Sequence, residues 1–380
     1  MPERETFRSG RDDGRFITTL GFLHAYAKAH APRLAFRPDL RAADLPAWRM
    51  AVRDKLREIM HFPDVPSQPP PQLLWEEPRE GYRLQKWEAY PEPLCVAPFL
   101  ALVPDGCDEA HPAPGVLCCP GSDWSKESLA GEPELDGAPP KNHHWGHNRQ
   151  ALFYVQAGFV AVATDNPGIG EQSDPIHRER HEISMNGLWL GRGYESLSVF
   201  HRLPALDWLK QQPGVDARRV ATSGLSLGAK PALLLAALDP DVAACVWNDF
   251  TSLWRTRMVA SNMARIAIHQ YVPDLLEWLD YPDLMASLAP RPLLISEGGR
   301  TDEINLVRQA YELAGAPEAL EVVYYPRHAT PDLRPYDDLP LFDGMTDEEF
   351  FAYANVDVPN HEFKPEVCVP WLARTLGAGS

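Results

Sequence analysis

The chain has 380 residues, of which 44% are hydrophobic and 23% are charged, and its formal net charge at pH 7 is −17. This composition is typical of a folded globular protein with a large core, and it argues against extended disorder. Because a strongly acidic protein repels phosphate backbones and anionic lipids, neither nucleic acid nor a membrane is expected as a partner.

The first 71 residues are predicted to form an N-terminal helical appendage and a proline-rich linker. Apolar residues recur at helical spacing between Phe16 and Met60. The prolines between Pro63 and Pro71 then end the helical pattern, since proline fixes φ and lacks a backbone donor. The N-terminus lacks the apolar segment of a signal peptide, and no segment is long and apolar enough to cross a bilayer, so a cytoplasmic protein is expected.

Residues 72–380 are predicted to form the main domain, with an α/β fold. A pair of antiparallel strands is expected at 83–90 and 95–103. Six short apolar runs follow, each before a turn and a helical segment, at 115–119, 160–164, 220–222, 242–247, 293–296 and 320–325. Such runs are typical of parallel strands that are buried on both faces. The sequence therefore predicts a mostly parallel central sheet covered by helices on both faces.

Two long segments, 122–150 and 328–359, are predicted to be insertions in the main domain. The first is rich in glycine, proline and histidine, and the second is rich in aspartate and proline. Loops of this length in a compact protein usually shape a binding site or act as lids.

The motif Gly224-Leu225-Ser226-Leu227-Gly228 indicates a nucleophilic serine. It directly follows the predicted strand at 219–222 and precedes a helical run at 229–238. In such a strand-to-helix turn the flanking residues must be small, and the strained serine presents its Oγ at the carboxyl edge of the sheet. The start of the helix also directs its positive dipole end toward developing negative charge. Ser226 is therefore the candidate nucleophile.

Several further stretches carry a family resemblance. They are Pro120-Gly121-Ser122, residues 157–162 leading to Asp165 and Gly168-x-Gly170-Glu171, residues 205–209 before Val215-Asp216, residues 289–294, and Asn360-His361-Glu362-Phe363. With them, the chain resembles the α/β-hydrolase superfamily from about residue 45 to the end, within its acetyl xylan esterase-like and dienelactone hydrolase-like group. The resemblance implies a serine esterase that forms an acyl-enzyme, needs no cofactor and acts on acyl or methyl esters of carbohydrates or other small esters.

The resemblance also implies a chain order of nucleophile, acid and histidine. Asp302, after the predicted strand at 293–296, is the preferred acid, while Asp249, Glu303 and a helix N-cap role for Asp302 stay open. His361 is the preferred base because it precedes the last amphipathic helix, at 367–376. His328 is the alternative, although a surface role suits it better.

The oxyanion hole is expected from two backbone N–H groups. The resemblance assigns them to Leu227, directly after the nucleophile, and to Ser122. Pro120 stands where related chains usually carry a histidine, which leaves the geometry of that turn open.

Weaker patterns give candidate substrate-binding residues. Lys230 lies four residues after the serine, where the resembled glucuronoyl esterases carry a lysine that contacts sugar hydroxyls. Trp145, Arg192 and Trp254 are further candidates for contacts with a sugar or a carboxylate. Histidines cluster beside Trp145, but no carboxylate or cysteine stands at ligand spacing, so no metal is expected.

Two other functions remain open at this level. One is a peptidase or amidase on the same fold, and the other is a binding protein that has kept the fold without activity. The expected partner is a small-molecule or oligosaccharide ester, and a homo-oligomer is one option for the assembly.

Overall fold

The computed structural model describes residues 7–132, 135, 148–174, 180–261, 268–337 and 339–378. Its centre is a sheet with the strand order β1-β2-β3-β5-β4-β6-β7-β8-β9. The strands are β1 (Gln72–Arg79), β2 (Tyr82–Ala89), β3 (Ala97–Pro104), β4 (Ala113–Cys119), β5 (Val160–Thr164), β6 (Val215–Leu225), β7 (Ala244–Asn248), β8 (Leu293–Ile295) and β9 (Leu320–Val322).

The sheet is antiparallel at one side and parallel elsewhere. Strands β1, β2, β3 and β5 pair with antiparallel neighbours, whereas β5, β4, β6, β7, β8 and β9 pair in parallel. Strand β1 was not predicted from the sequence. It is an edge strand with mostly exposed side chains, so it lacks the buried apolar run that marks the inner strands.

Helices connect the strands and cover the sheet. They are α1 (Thr19–Ala29), α2 (Leu45–Ile59), α3 (Lys126–Ala130), α4 (Gln150–Gln156), α5 (Arg180–Trp189), α6 (Tyr194–Gln211), α7 (Ala229–Leu238), α8 (Trp254–Ala260), α9 (Leu275–Trp278), α10 (Tyr281–Ser287), α11 (Thr301–Leu313), α12 (Asp347–Tyr353) and α13 (Pro365–Leu376). Within the described ranges, none of them is both long and apolar enough to span a lipid bilayer.

The two faces of the sheet pack into separate apolar clusters. Along β4, Leu117 and Cys119 belong to one cluster, which includes side chains from α2, α6, α7 and α10. Val116 and Cys118 belong to the other, with side chains from α4 and α13. Alternate residues of a strand point to opposite faces, so this division places helices on both sides of the sheet, as predicted.

The helical pattern predicted between Phe16 and Met60 corresponds to two helices, α1 and α2. Pro32 and Pro38 lie between them, in a segment that folds as turns rather than as helix. Helix α2 packs against α7 and α10 through Val52, Leu56 and Ile59, which are almost completely buried. The N-terminal segment therefore shares the core of the main sheet.

The parallel strands end at one common edge of the sheet. The first two residues after each of β4, β5, β6, β7 and β8 meet there, since the carboxyl ends of parallel strands share an edge. Polar side chains in these positions include Asn166 after β5, Ser226 after β6, Asp249 after β7 and Glu297 after β8.

Candidate active site

Ser226 lies at the sharp turn between β6 and α7. Its φ is +55°, in the left-handed region that residues with a Cβ rarely adopt. A Cβ added at Gly224 would collide with the Gly228 carbonyl, and one added at Gly228 would collide with the Cys119 carbonyl. Both positions therefore require glycine, and the strained turn holds Ser226 at the carboxyl edge of the sheet.

The turn that follows β4 is held beside this elbow by two side chains. Asn166 Nδ2 donates hydrogen bonds to the Pro120 carbonyl at 3.0 Å and to the Gly121 carbonyl at 3.1 Å. Arg180 Nη1 donates to the Ser122 carbonyl at 2.7 Å. These bonds fix the turn that contains Pro120.

A cleft with about 660 Å³ of empty space opens above the elbow. Ser122, Ser226, Leu227 and His361 all line it. The two residues predicted to supply the oxyanion hole therefore lie in the same cleft as the predicted nucleophile and base.

His361 directly follows a short 3-10 helix, Val358–Asn360, just before α13. Its Nδ1 lies 2.6 Å from Oε2 of Glu297, the second residue after β8. The His361 side chain is 28% exposed, whereas that of Glu297 is completely buried. With Nδ1–H donating to the carboxylate, Nε2 of His361 is left to act on groups in the cleft.

Glu297 is tied to three donors. Besides His361, Lys364 Nζ donates to Glu297 Oε1 at 3.0 Å, and Asn248 Nδ2 donates to the same oxygen at 3.2 Å. Burial favours the neutral acid, but the charge of His361, its hydrogen bond and the charge of Lys364 outweigh this effect and lower the pKa of Glu297 below its usual value. Glu297 is therefore a fixed carboxylate.

A second carboxylate, that of Asp249, also lies beside His361. Burial lowers the pKa of His361, but Glu297 and, more weakly, Asp249 favour the imidazolium and together raise this pKa to about 9. Burial raises the pKa of Asp249, and its oxygen Oδ1 accepts a hydrogen bond from Phe250 N at 2.9 Å. The imidazole thus has one hydrogen-bonded carboxylate and one nearby carboxylate.

Asp249, Glu297 and His361 each have a potential metal ligand atom within 4.8 Å of the others. A cation there would have to replace the hydrogen bonds that His361, Lys364 and Asn248 already make to Glu297. Lys364 also supplies a positive charge at the same carboxylate. The cluster therefore fits an oriented imidazole better than a metal centre.

The predicted acid, Asp302, does not contact His361. Its side chain is 63% exposed and pairs with Arg300 near the start of α11. The alternative Glu303 is buried, but it accepts a hydrogen bond from Leu253 N at 3.0 Å. The structure thus corrects the prediction, because the carboxylate bonded to His361 is Glu297, and Asp249 is the sequence alternative that lies nearby.

His328, the alternative base, is buried away from the cleft walls. Its Nδ1 lies 3.1 Å from the Leu333 carbonyl, in the segment after β9. The surface position expected for His328 is therefore wrong. Among the two histidines weighed from the sequence, His361 is the one that lines the cleft.

Only some of the predicted substrate-binding residues lie in the cleft. Lys230 and Trp254 line the cleft. Arg192 does not, because it forms a two-pronged ion pair with Glu92, with both N···O distances at 2.9 Å. Trp145 lies outside the described residues.

Sequence reasoning missed several side chains of the site, among them Glu297, Asn166 and Arg257. Glu297 is the first carboxylate after β8, and this position could have identified it from the sequence as a candidate acid. Asn166 directly follows the Asp165 that belongs to the family stretch, yet no motif marked it. Arg257, which lines the cleft from α8, has no motif either.

Comparison with known proteins gives matches over nearly the whole chain, besides more distant or partial ones. The model of the Abhydrolase family matches residues 2–374. A crystal structure from Bacteroides fragilis NCTC 9343, of a protein provisionally called an acetyl xylan esterase, is 37% identical. It covers 98% of each chain with a TM-score of 0.90.

More distant matches show likeness of fold or of a part. A glucuronoyl esterase from Solibacter usitatus is 16% identical, with 83% of this chain and 86% of that chain covered and a TM-score of 0.52. YtaP of Bacillus subtilis (strain 168), provisionally named a hydrolase, is 28% identical over 137 residues. That match spans 36% of this chain and 45% of YtaP.

Proposed function

Because the chain belongs to the Abhydrolase family, within the α/β-hydrolase superfamily, we propose that it is a serine-dependent carboxylic ester hydrolase. The observation that carries the proposal is that Ser226 and His361 line the same cleft, while Glu297 orients the imidazole of His361 through its Nδ1. A serine at a strained turn with an oriented histidine is the arrangement that activates a hydroxyl for acyl transfer.

In the first half of the reaction, His361 Nε2 removes the Ser226 hydroxyl proton while Oγ forms a bond to the ester carbonyl carbon. Backbone N–H groups of Leu227 and Ser122 stabilise the resulting oxyanion. Collapse of the tetrahedral intermediate breaks the ester C–O bond, and the alcohol leaves with the proton that His361 had taken. Glu297 stays ionised throughout and stabilises the imidazolium.

In the second half, water attacks the acyl group on Ser226. His361 takes a proton from this water, and the C–Oγ bond breaks with return of that proton to Ser226. The products are a carboxylic acid and a regenerated serine. No cofactor takes part in either half.

The substrate class is proposed as an acyl or methyl ester of a carbohydrate. Its support is the 37% identical relative that is provisionally called an acetyl xylan esterase. The cleft is consistent with a ring-bearing substrate, since Trp254, Phe250 and Phe351 supply aromatic faces along its wall.

The test combines labelling with turnover. A fluorophosphonate should add one label to the wild-type chain, on the peptide that contains Ser226, and p-nitrophenyl acetate should be hydrolysed. Ser226→Ala should abolish both, while Ser67→Ala, which changes an exposed serine, should keep both. Unlabelled wild-type protein, or full turnover by Ser226→Ala, would contradict the proposal.

A further inference from the structure

Two cationic side chains, Lys230 and Arg257, line the cleft beside Ser226. Lys230 is only 3% exposed, at the start of α7 one turn after the nucleophile. Arg257 extends from α8. Neither cation is needed for the proposed steps of acyl transfer, which use Ser226, His361 and backbone N–H groups.

Aromatic rings surround both cations. Lys230 Nζ lies 4.7 Å from the Trp254 ring centroid. The Arg257 guanidinium carbon lies 5.5 Å from the Trp254 ring, 5.6 Å from Phe250 and 5.0 Å from Phe350. Rings of this kind hold a cation in place by attraction to the π face, while leaving its N–H donors unused.

The two cations have few polar partners of their own. Lys230 Nζ donates to the neutral side chain of Gln270 at 3.1 Å. Among the described residues, carboxylates act on Lys230 and Arg257 through charge alone, without a hydrogen bond or ion pair to either cation, and Nε of Arg257 is buried without a hydrogen-bond partner. A buried cation without such a partner is costly unless a ligand pairs with it.

Acidic groups face this pair at longer range. Asp249 lines the same cleft and interacts with both cations through its charge. Buried Glu195 faces Lys230 from α6, and Asp347 faces Arg257 from α12. Burial lowers the pKa of Lys230 and of Arg257, and these acids oppose that shift. Glu195 also faces Arg202, a third cation, and Asp249 also faces His361, so neither of these acids acts on Lys230 or Arg257 alone.

From this arrangement we propose that Lys230 and Arg257 form an anion-binding subsite, and that the preferred substrate is an ester with a second, carboxylate group close to the ester carbonyl. The inference rests on the proposed function. An ammonium and a guanidinium bind a carboxylate through charge-assisted hydrogen bonds, and the rings cover its hydrocarbon part. In a chain with a net charge of −17, two cations at the cleft also offset the general repulsion of an anionic substrate.

The test compares acids with their neutral amides in matched ester pairs. Monomethyl glutarate against methyl glutaramate places the carboxylate on the acid side, and 4-acetoxybutanoate against 4-acetoxybutanamide places it on the alcohol side. In at least one pair, kcat/KM of the wild-type protein should favour the carboxylate by about tenfold or more, as expected for a charge-assisted contact.

Substitutions assign that preference to the two cations. Arg257→Met and Lys230→Met should each reduce the ratio of kcat/KM between the charged and the neutral ester by about tenfold, and Arg257→Lys should retain part of it. Arg218→Met is the matched control, since it removes the same charge from a side chain that is 90% exposed, and the ratio should not change. Thermal unfolding checks that each variant is folded.

The outcomes separate the two proposals. Equal kcat/KM within both pairs, or a preference that survives both methionine variants, overturns the anion subsite while the neutral esters still report a working esterase. Loss of all ester turnover and of fluorophosphonate labelling overturns the proposed function instead. In that case glutarate against glutaramide binding, measured by calorimetry, decides the subsite by itself.

Discussion

Glu297 Oε2 lies 2.6 Å from His361 Nδ1, although 64 residues separate the two in the chain. The contact forms because Glu297 follows β8 at the carboxyl edge of the sheet, and the segment after β9 places His361 at the same edge. Replacing Glu297 with Gln keeps the size of the side chain but removes its charge and allows the wrong imidazole tautomer.

Glu297→Gln should therefore lower kcat on p-nitrophenyl acetate by about a thousandfold or more, as loss of the acid does in known serine hydrolases. Asp302→Asn, which changes the exposed carboxylate that sequence order had favoured, should leave kcat within about twofold, as is usual for surface changes. The reverse ranking of the two variants would refute the assignment of Glu297.

The pH dependence of the reaction should report on His361. Its pKa is raised to about 9, mainly by Glu297 and with a further contribution from Asp249, against the lowering effect of burial. A general base must be neutral, so kcat/KM should rise with pH through this pKa and reach its plateau on the alkaline side.

Asp249→Asn removes one of the charges that favour the imidazolium. The rising limb should then move to lower pH, which kcat/KM measured from pH 5 to 10 would detect. Asp302→Asn is the control for a general change of charge, and its profile should superpose on that of the wild type. An unmoved limb in Asp249→Asn would show that Asp249 does not act on His361.

Much of the architecture followed from the sequence, because parallel strands that are buried on both faces leave continuous apolar runs. The predicted run at 160–164 coincides with β5, and the predicted α/β-hydrolase fold is confirmed. The exact ends of the strands could not be predicted from the sequence. The predicted strand at 220–222 is the middle of the longer β6, in which residues 216–219 are exposed or partly exposed and break the apolar run.

The acid of the site shows where sequence reasoning ends. Glu297, Asp302 and Glu303 all follow β8, and chain order does not tell which of them turns toward the histidine. Only the path of the chain after β8 decides this. Glu297 is directed inward to His361, Asp302 faces solvent near the start of α11, and Glu303 is buried under α8.

Backbone strain at Ser226 should be measurable as a difference in the free energy of unfolding between two variants. Its φ of +55° disfavours any residue with a Cβ, whereas glycine adopts this region freely. We expect Ser226→Gly to unfold with a free energy about 1 kcal/mol higher than that of Ser226→Ala. Both variants lack the proposed nucleophile, so their difference in unfolding free energy reports on the backbone alone, and urea denaturation measures it.

The matched comparison uses an exposed residue in the right-handed helix α11. Gln309→Gly should be less stable than Gln309→Ala by about 1 kcal/mol, because glycine is disfavoured inside a helix. The sign of the glycine effect is thus opposite at the two sites. The same sign at both would mean that the turn at Ser226 is not strained in solution.

Glu303 should make folding stability depend on pH. Burial raises its pKa to about 8, whereas in an unfolded chain a glutamate titrates near about 4.3. Between these values the folded state holds the extra proton, so stability falls as pH rises, by up to about 1.4 kcal/mol per pH unit. Glu303→Gln should flatten the dependence of the unfolding free energy between pH 5 and 8, whereas Glu318→Gln, at an exposed position, should not change it. Parallel pH curves for wild type and Glu303→Gln would rule out a buried neutral Glu303.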